Sequence, residues 1–259
     1  MEREPYNILN KGWKTTCKIL FGEELGELQE YDQYLKEAMV GKAVKSDFSG
    51  KELWVASEQY CNDAKFFDYA NELELASKEL SKPINVNKIK DIDSLVNELQ
   101  EKIIYCGNKT LGNSKYVEYS DDITDSVYIL NSANIVRSKY MAYCYLIYDG
   151  ESNFAVTTSG ESTNCIRCFY NNSLRRCFEI VSSVALSDCY FCFNIMNSGN
   201  CMFSFNLRAK QNVIGNVQLS KDQYNELKNK LLGEMIDELK TKKRLGFSIV
   251  DILNGWKHD

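Results

Sequence analysis

The stretch Ser187–Phe205, SDCYFCFNIMNSGNCMFSF, places Cys189 and Cys192 three residues apart and Cys201 nine residues further on. Three structures can produce such spacing: a zinc site, a disulfide framework, or a core packed with thiols. Upstream, Cys165 and Cys168 repeat the pair, so that Cys-x2-Cys-x20-Cys-x2-Cys matches the ligand spacing of a zinc ribbon. Other residues recur at the same interval, and they decide how the pairs are read.

Triplets led by a small or polar residue recur at Ser114-Lys115-Tyr116, Ser126-Val127-Tyr128, Ser138-Lys139-Tyr140 and Ser152-Asn153-Phe154. They continue at Thr163-Asn164-Cys165, Arg175-Arg176-Cys177, Ser187-Asp188-Cys189 and Gly199-Asn200-Cys201. Their third residues lie 12, 12, 14, 11, 12, 12 and 12 apart, one register with two slips. Each unit holds a short β-prone run followed by Asn, Ser or Gly, which form turns. Internal repetition of this kind marks a solenoid. The expected fold is a β-solenoid, parallel β-helix-like, with about 24 residues per coil from paired 12-residue repeats. In that reading Cys165 lies over Cys189 and Cys177 over Cys201, and Tyr116, Tyr128, Tyr140 and Phe154 share the inward register. A core position can change from Cys to Tyr along a repeat, whereas a metal ligand cannot. Packed free thiols are therefore favoured. Zinc held by Cys165, Cys168, Cys189 and Cys192 stays open as an alternative, as do disulfides.

The chain of 259 residues is 44% hydrophobic, enough for a sizeable core, and has a net charge of −5. Residues 208–259 carry ten Lys and Arg against seven Asp and Glu, a mild excess that reads as a solvated helix face. No secretory signal or long apolar span is legible, which implies a cytoplasmic or virion-associated protein and reduced cysteines. The single histidine, His258, is next to last. That excludes most Ser-His-Asp, Cys-His and His-ligand chemistry. No phosphate loop or nucleophile elbow occurs.

Three regions are expected: a mostly helical 1–110, a solenoid over 111–218, and a capping helix with an apolar tail over 219–259. Leu25, Leu28, Tyr31, Leu35 and Met39 predict an amphipathic helix over Gly22–Met39. Asp93–Tyr105 reads as a second helix capped by Asp93. Phe48 and Tyr60, twelve apart, suggest an early coil within 46–70. Ser220-x-x-Gln223 is a capping box, and the helix it opens, with Tyr224, Leu227, Leu231, Met235 and Leu239 on one face, is the natural cover for the last coil. The tail from Leu245, with Phe247, Ile249, Ile252 and Trp256, either folds back or docks a partner.

The tract from Asn200 to Leu231 resembles the end of a family of uncharacterised Cys-rich repeat proteins of candidate-phylum bacteria and phages. The match rests on the repeat, then Asn206-Leu207-Arg208-Ala209-Lys210, then Asn216, then Ser220 to Tyr224 opening a helix. The resemblance spans roughly residues 114–235 and implies a fold, not an activity. The cysteine-paired zinc module often found at the front of that family is absent, so its metal or nucleic-acid role does not carry over.

These features point to a non-enzymatic structural or interaction protein, a solenoid scaffold in a multi-protein assembly such as a phage virion. Its expected partners are other proteins or copies of itself, with no membrane and no nucleic acid. No catalytic, cofactor or metal residue is assigned. The alternatives are a zinc-dependent nucleic-acid-binding module, resting on the cysteines and Lys242-Lys243-Arg244, and a carbohydrate-active β-helix protein. The latter would use Asp121, Asp122, Asp125, Asp149 and Glu151, which cluster in turns and read by default as solvated.

Overall fold

The computed structural model describes residues 3–255 except 38, 58–59 and 61–63. Its organising unit is the tripeptide. Every third residue from Tyr116 to Asn212 has a left-handed backbone, with φ between 46° and 60°. The residue after it points inward, and the next is extended and points outward. Each left-handed residue turns the chain, and four turns close one coil. β-Branched side chains tolerate positive φ worst, and among these left-handed positions only Thr158 is β-branched. Asn and Asp, which tolerate it best, recur there, as at Asp122, Asn134, Asn164 and Asn200.

The coil therefore contains twelve residues, not the expected 24. Lys139 pairs with Val127 on one side and Glu151 on the other, all parallel. The same step of twelve joins Asn153 to Cys165 and Cys201 to Val213. About nine coils stack in this way, at a rise of roughly 4.8 Å each. The fold class is as the sequence indicates, a β-solenoid flanked by helices. The repeat has no slips: the inward column that holds Cys165, Cys177, Cys189 and Cys201 begins with Val117, Ile129 and Met141. Tyr116, Tyr128 and Tyr140 sit one residue earlier, on left-handed positions outside. There their rings stack at 4.9 and 5.4 Å. Phe154 also points outward, and is buried against Trp13 of the first helix at 5.2 Å.

A coil this narrow has room for four inward side chains, two larger and two small. Met141, Cys144, Ile147 and Gly150 fill one coil; Cys177, Ile180, Ser183 and Leu186 fill another, all buried. Most of the small residues also bring a hydrogen-bond donor. Ser126 Oγ donates to the Thr124 carbonyl at 2.7 Å and accepts the Ser138 N–H at 3.0 Å. Cysteine does the first of these with sulfur. Cys165, Cys168, Cys177, Cys189, Cys192 and Cys201 each donate to the carbonyl two residues back, at 3.3–3.4 Å. Cys144, Cys168 and Cys192 thus stand in the column of Ser120, Ser132 and Ser204 as apolar substitutes for serine, whereas the Cys165–Cys201 column continues that of Val117, Ile129 and Met141. The stacking is Cys165–Cys177–Cys189–Cys201 in one column, so the expected skip from Cys165 to Cys189 is corrected.

The flanks differ from expectation in several places. Helix α1 spans Arg3–Phe21 and buries Leu9, Trp13, Cys17 and Leu20. The predicted helix over Gly22–Met39 is instead a turn, a 3-10 segment at Leu28–Tyr31 and a short α2 at Asp32–Lys36. Gly22 (φ 85°) and Gly26 (φ 127°) break it, although Leu25, Leu28, Tyr31 and Leu35 are still buried. The described residues of 46–70 do not form an early coil. An antiparallel hairpin of β1 (Lys42–Lys45) and β2 (Glu52–Val55) is followed by β3 (Lys65–Asp68) and α3 (Tyr69–Leu80). The second predicted helix is α4 (Ile92–Gln100), capped by Asp91 rather than Asp93. It ends early because Ile104–Gly107 is needed as strand β4, parallel to β3.

Helix α5 (Lys221–Lys242) begins at the predicted capping box of Ser220 and Gln223. It does not cover the end of the solenoid; it runs along the flank, where Tyr31 donates to the Leu239 carbonyl at 3.0 Å. Its buried residues Tyr224, Leu232, Met235, Ile236 and Leu239 share one core with α1 and with Phe178, Tyr190 and Met202 of the solenoid. Leu227 is exposed. The last coil is closed by a hairpin, Val213 and Ile214 pairing with Gln218 and Val217, and by Asn216. The Asn216 amide accepts from the Phe205 N–H at 2.7 Å and donates to its carbonyl at 3.0 Å, replacing the missing next strand. The tail folds back: Leu245 and Ile249 are buried, and α6 (Ile249–Leu253) lies on the solenoid. Trp256 and His258 fall outside the described residues.

Candidate interaction face

The four sides of the coil meet different surroundings. The edge carrying Phe154, Ile166, Phe178, Tyr190 and Met202 is covered by α1 and α5. Tyr190 donates to the Leu20 carbonyl at 2.7 Å, and the rings of Phe21 and Phe178 meet edge-on at 5.2 Å.

Beside this edge, three parts of the chain meet on one buried ion pair. Arg167 and Glu179 stack one coil apart and bond through Nε; their side chains are 4% and 0% exposed. Arg167 also donates to the Tyr34 carbonyl at 2.6 Å and to Glu37 at 3.0 Å, and stacks on the Tyr34 ring. Glu179 accepts from Tyr34 Oη at 3.2 Å and from the Ile249 N–H at 2.9 Å. The segment after α1, the solenoid and the tail are thereby pinned together. Burial pushes the Glu179 carboxyl up, against the opposing pull of Arg167 and the Ile249 N–H. This pair was not read from the sequence, although opposite charges twelve residues apart are visible in it.

Next to the covered edge runs a row that the helices leave partly open. Tyr145, Phe169, Val181, Phe193 and Phe205, interrupted by Thr157, lie on successive coils. Phe169, Val181, Phe193 and Phe205 touch the core with one side and remain only partly buried. Six rungs span about 24 Å. Its outer neighbours include Tyr170, 67% exposed, Ser182, Asn194 and Asn206. On the other sides, beside the stacked rings of Tyr116, Tyr128 and Tyr140, charges pair with one another. Arg137 and Asp149 form a two-bond pair at 2.7 and 2.8 Å, and Arg176 and Asp188 another at 2.7 Å. Lys139 meets Glu151 at 3.0 Å.

These pairings place the carboxylates singled out in the sequence. Asp149 and Glu151 belong to them, and Asp122 faces Lys109 at 3.5 Å. Asp125 accepts from the Asn113 N–H at 2.9 Å. Asp121 is buried and structural: it accepts the N–H groups of Lys109 and Ala56 at 2.8 and 2.9 Å, and burial raises its pKa. Asp125, Asp149 and Glu151 border one shallow groove together with Arg137 and Lys139, and Asp121 and Asp122 are not among its lining. Lys242, Lys243 and Arg244 face Glu238, Glu30 and Glu37.

The four cysteines of the ribbon-like spacing also do not converge on one point. Cys165 and Cys189 are separated by Cys177 and so by two coil rises, about 9.6 Å. Ligands of one zinc at about 2.3 Å from the metal lie within about 4.6 Å of each other. Among the described residues, no group of three or more Cys, His, Asp or Glu is disposed to hold a metal. The described cysteines are free thiols, and all but Cys106 are buried. Burial pushes Cys165, Cys177 and Cys192 well above the usual thiol range. No helix among the described residues is long and apolar enough to cross a membrane. No protein-family model matches the chain, and no curated protein matches it.

Proposed function

We propose that the protein is a non-enzymatic scaffold that docks another protein in a larger assembly, a virion component being one such setting. The observation carrying this reading is the partly open apolar row from Tyr145 to Phe205. A rigid solenoid holds its side chains at fixed spacing, so a partner meets a preorganised surface. A regular apolar strip with a polar border is the composition of a protein contact. The mutual pairing of charges on the other sides favours docking through this row over electrostatic capture of nucleic acid. Self-association through the row is a form of the same reading.

The test replaces Phe169 and Phe193, separately, with Lys. Both positions are extended and outward, so the interior of the coil is untouched, and only their contact with the outer core is lost. Purified assemblies from the native source, resolved by native mass spectrometry, should contain the wild-type chain with a stoichiometric partner or further copies of itself. Either variant should be released as a folded monomer. Unchanged assembly with both variants contradicts the reading, as does a wild-type chain that is always monomeric.

A further inference from the structure

The first coil poses a problem that the later ones do not. Its inward residues Val117 and Ser120 have no coil beneath them. The hairpin strand β2 and the start of α3 lie across this mouth without filling it. A cleft of about 350 Å³ remains, bordered by Trp54, Glu52, Asn71, Asn108, Val117 and Tyr119. It lies at the junction of two structural units, where binding pockets concentrate, and its volume is at the small end of their range.

The lining is held in place. The Asn108 side chain accepts the Trp54 N–H at 2.8 Å, and the Asn108 N–H donates to the Trp54 carbonyl at 2.9 Å. Among the described residues, no Lys or Arg borders the cleft, and so none supplies a counter-charge for a phosphate or a nucleotide. The N-terminus of α3 is already capped: Asp68 accepts from the Ala70 N–H at 3.1 Å and from Asn71 Nδ2 at 2.7 Å. Of the carboxylates in the lining among the described residues, that leaves Glu52, on the exposed rim, outside such a cap. The remaining groups are mixed. Asn108 Nδ2 donates, Asn71 Oδ1 accepts, Tyr119 Oη does both, and Trp54 and Val117 offer apolar surface.

We propose that this cleft binds a small neutral polyhydroxylated molecule, a single sugar unit. Such a ligand has hydroxyls that donate and accept, and a C–H face that packs on an aromatic ring. The residues involved are not the outer carboxylates of the repeat, and the site lies at the opposite end of the solenoid from Phe193 and Phe205. It is independent of the docking row.

The test is a titration of the full ¹⁵N-labelled chain with glucose, galactose, mannose and N-acetylglucosamine, and separately with putrescine and inorganic phosphate. The signals followed are the Trp54 indole N–H and the side-chain amides of Asn71 and Asn108. The expected result is saturable movement of these signals with at least one monosaccharide. Glu52→Ala and Tyr119→Asn should each weaken binding about tenfold, the loss of roughly one good hydrogen bond or ring contact, without changing Tm. Asparagine is chosen because Tyr119 has φ 48°. No response to any of the four sugars overturns the proposal. So does a sugar response that both variants retain, or a response to putrescine or phosphate alone.

Discussion

Removing the Glu179 carboxylate should be among the most damaging single changes in this protein. Glu179→Ala withdraws the acceptor from Arg167 Nε, from Tyr34 Oη and from the Ile249 N–H at once. Breaking a buried ion pair from one side costs about 3–5 kcal/mol, because the remaining charge is left in a poorly solvated site. Glu37, 3.0 Å from Arg167 Nη1, retains part of the compensation and sets the expectation at about 3–4 kcal/mol. The double variant Arg167→Met/Glu179→Leu removes both charges and should cost less than the single one. Both positions have positive φ, at 53° and 55°, so neither replacement is β-branched. Urea unfolding followed by circular dichroism gives each ΔΔG, provided that the transition slope is unchanged. Amide exchange at Ile249 gives a local readout and should accelerate in Glu179→Ala before the coils open. A cost below about 1 kcal/mol for Glu179→Ala, or a double variant less stable than the single one, would refute the argument that an uncompensated charge is what matters.

Further expectations follow from other parts of the fold. Gly150→Ala should destabilise by about 1–3 kcal/mol, since the new methyl meets Ile147 Cγ2 and Met141 Cε at 2.7 Å; thermal melts would show whether the coil instead expands freely. A thiol titration at pH 8 should leave every described cysteine unmodified in the native chain, and all ten should react in denaturant. Even half-buried Cys106, pushed up to about 12 chiefly by burial, is about one part in ten thousand thiolate at that pH. Asn216→Ala should expose the Phe205 edge, cost about 1 kcal/mol and promote end-to-end association, seen as a concentration-dependent mass in light scattering. Asp149→Arg places two guanidinium groups one rung apart and should lower stability slightly at low salt and not at 1 M salt; an equal effect at both would point to packing instead.

The sequence by itself determined the repeat, and with it the β-solenoid and the burial of its thiols. Twelve-residue recurrence is a property of the chain alone, and stacking is the only way such short units bury their inward side chains. It also determined the start of α5, because the Ser220 and Gln223 capping box is local. The coil length was legible in principle: β-branched residues all but vanish from every third position and recur at both of the others. Reading Tyr116 as inward hid this, since an aromatic residue among cysteines suggests a core and the true column, Val117, Ile129 and Met141, starts one residue later.

Helix α1 was also legible in principle, with Leu9, Trp13, Cys17 and Leu20 at helical spacing, but was not read from the sequence. The remainder was decided by tertiary structure. Nothing local says that α5 lies along the flank, that Asn216 closes the last coil, or that Arg167 and Glu179 hold the tail. Those outcomes depend on which surfaces remain uncovered once the coils have stacked. The docking row and the mouth cleft exist for the same reason: they are what the helices and the hairpin left open.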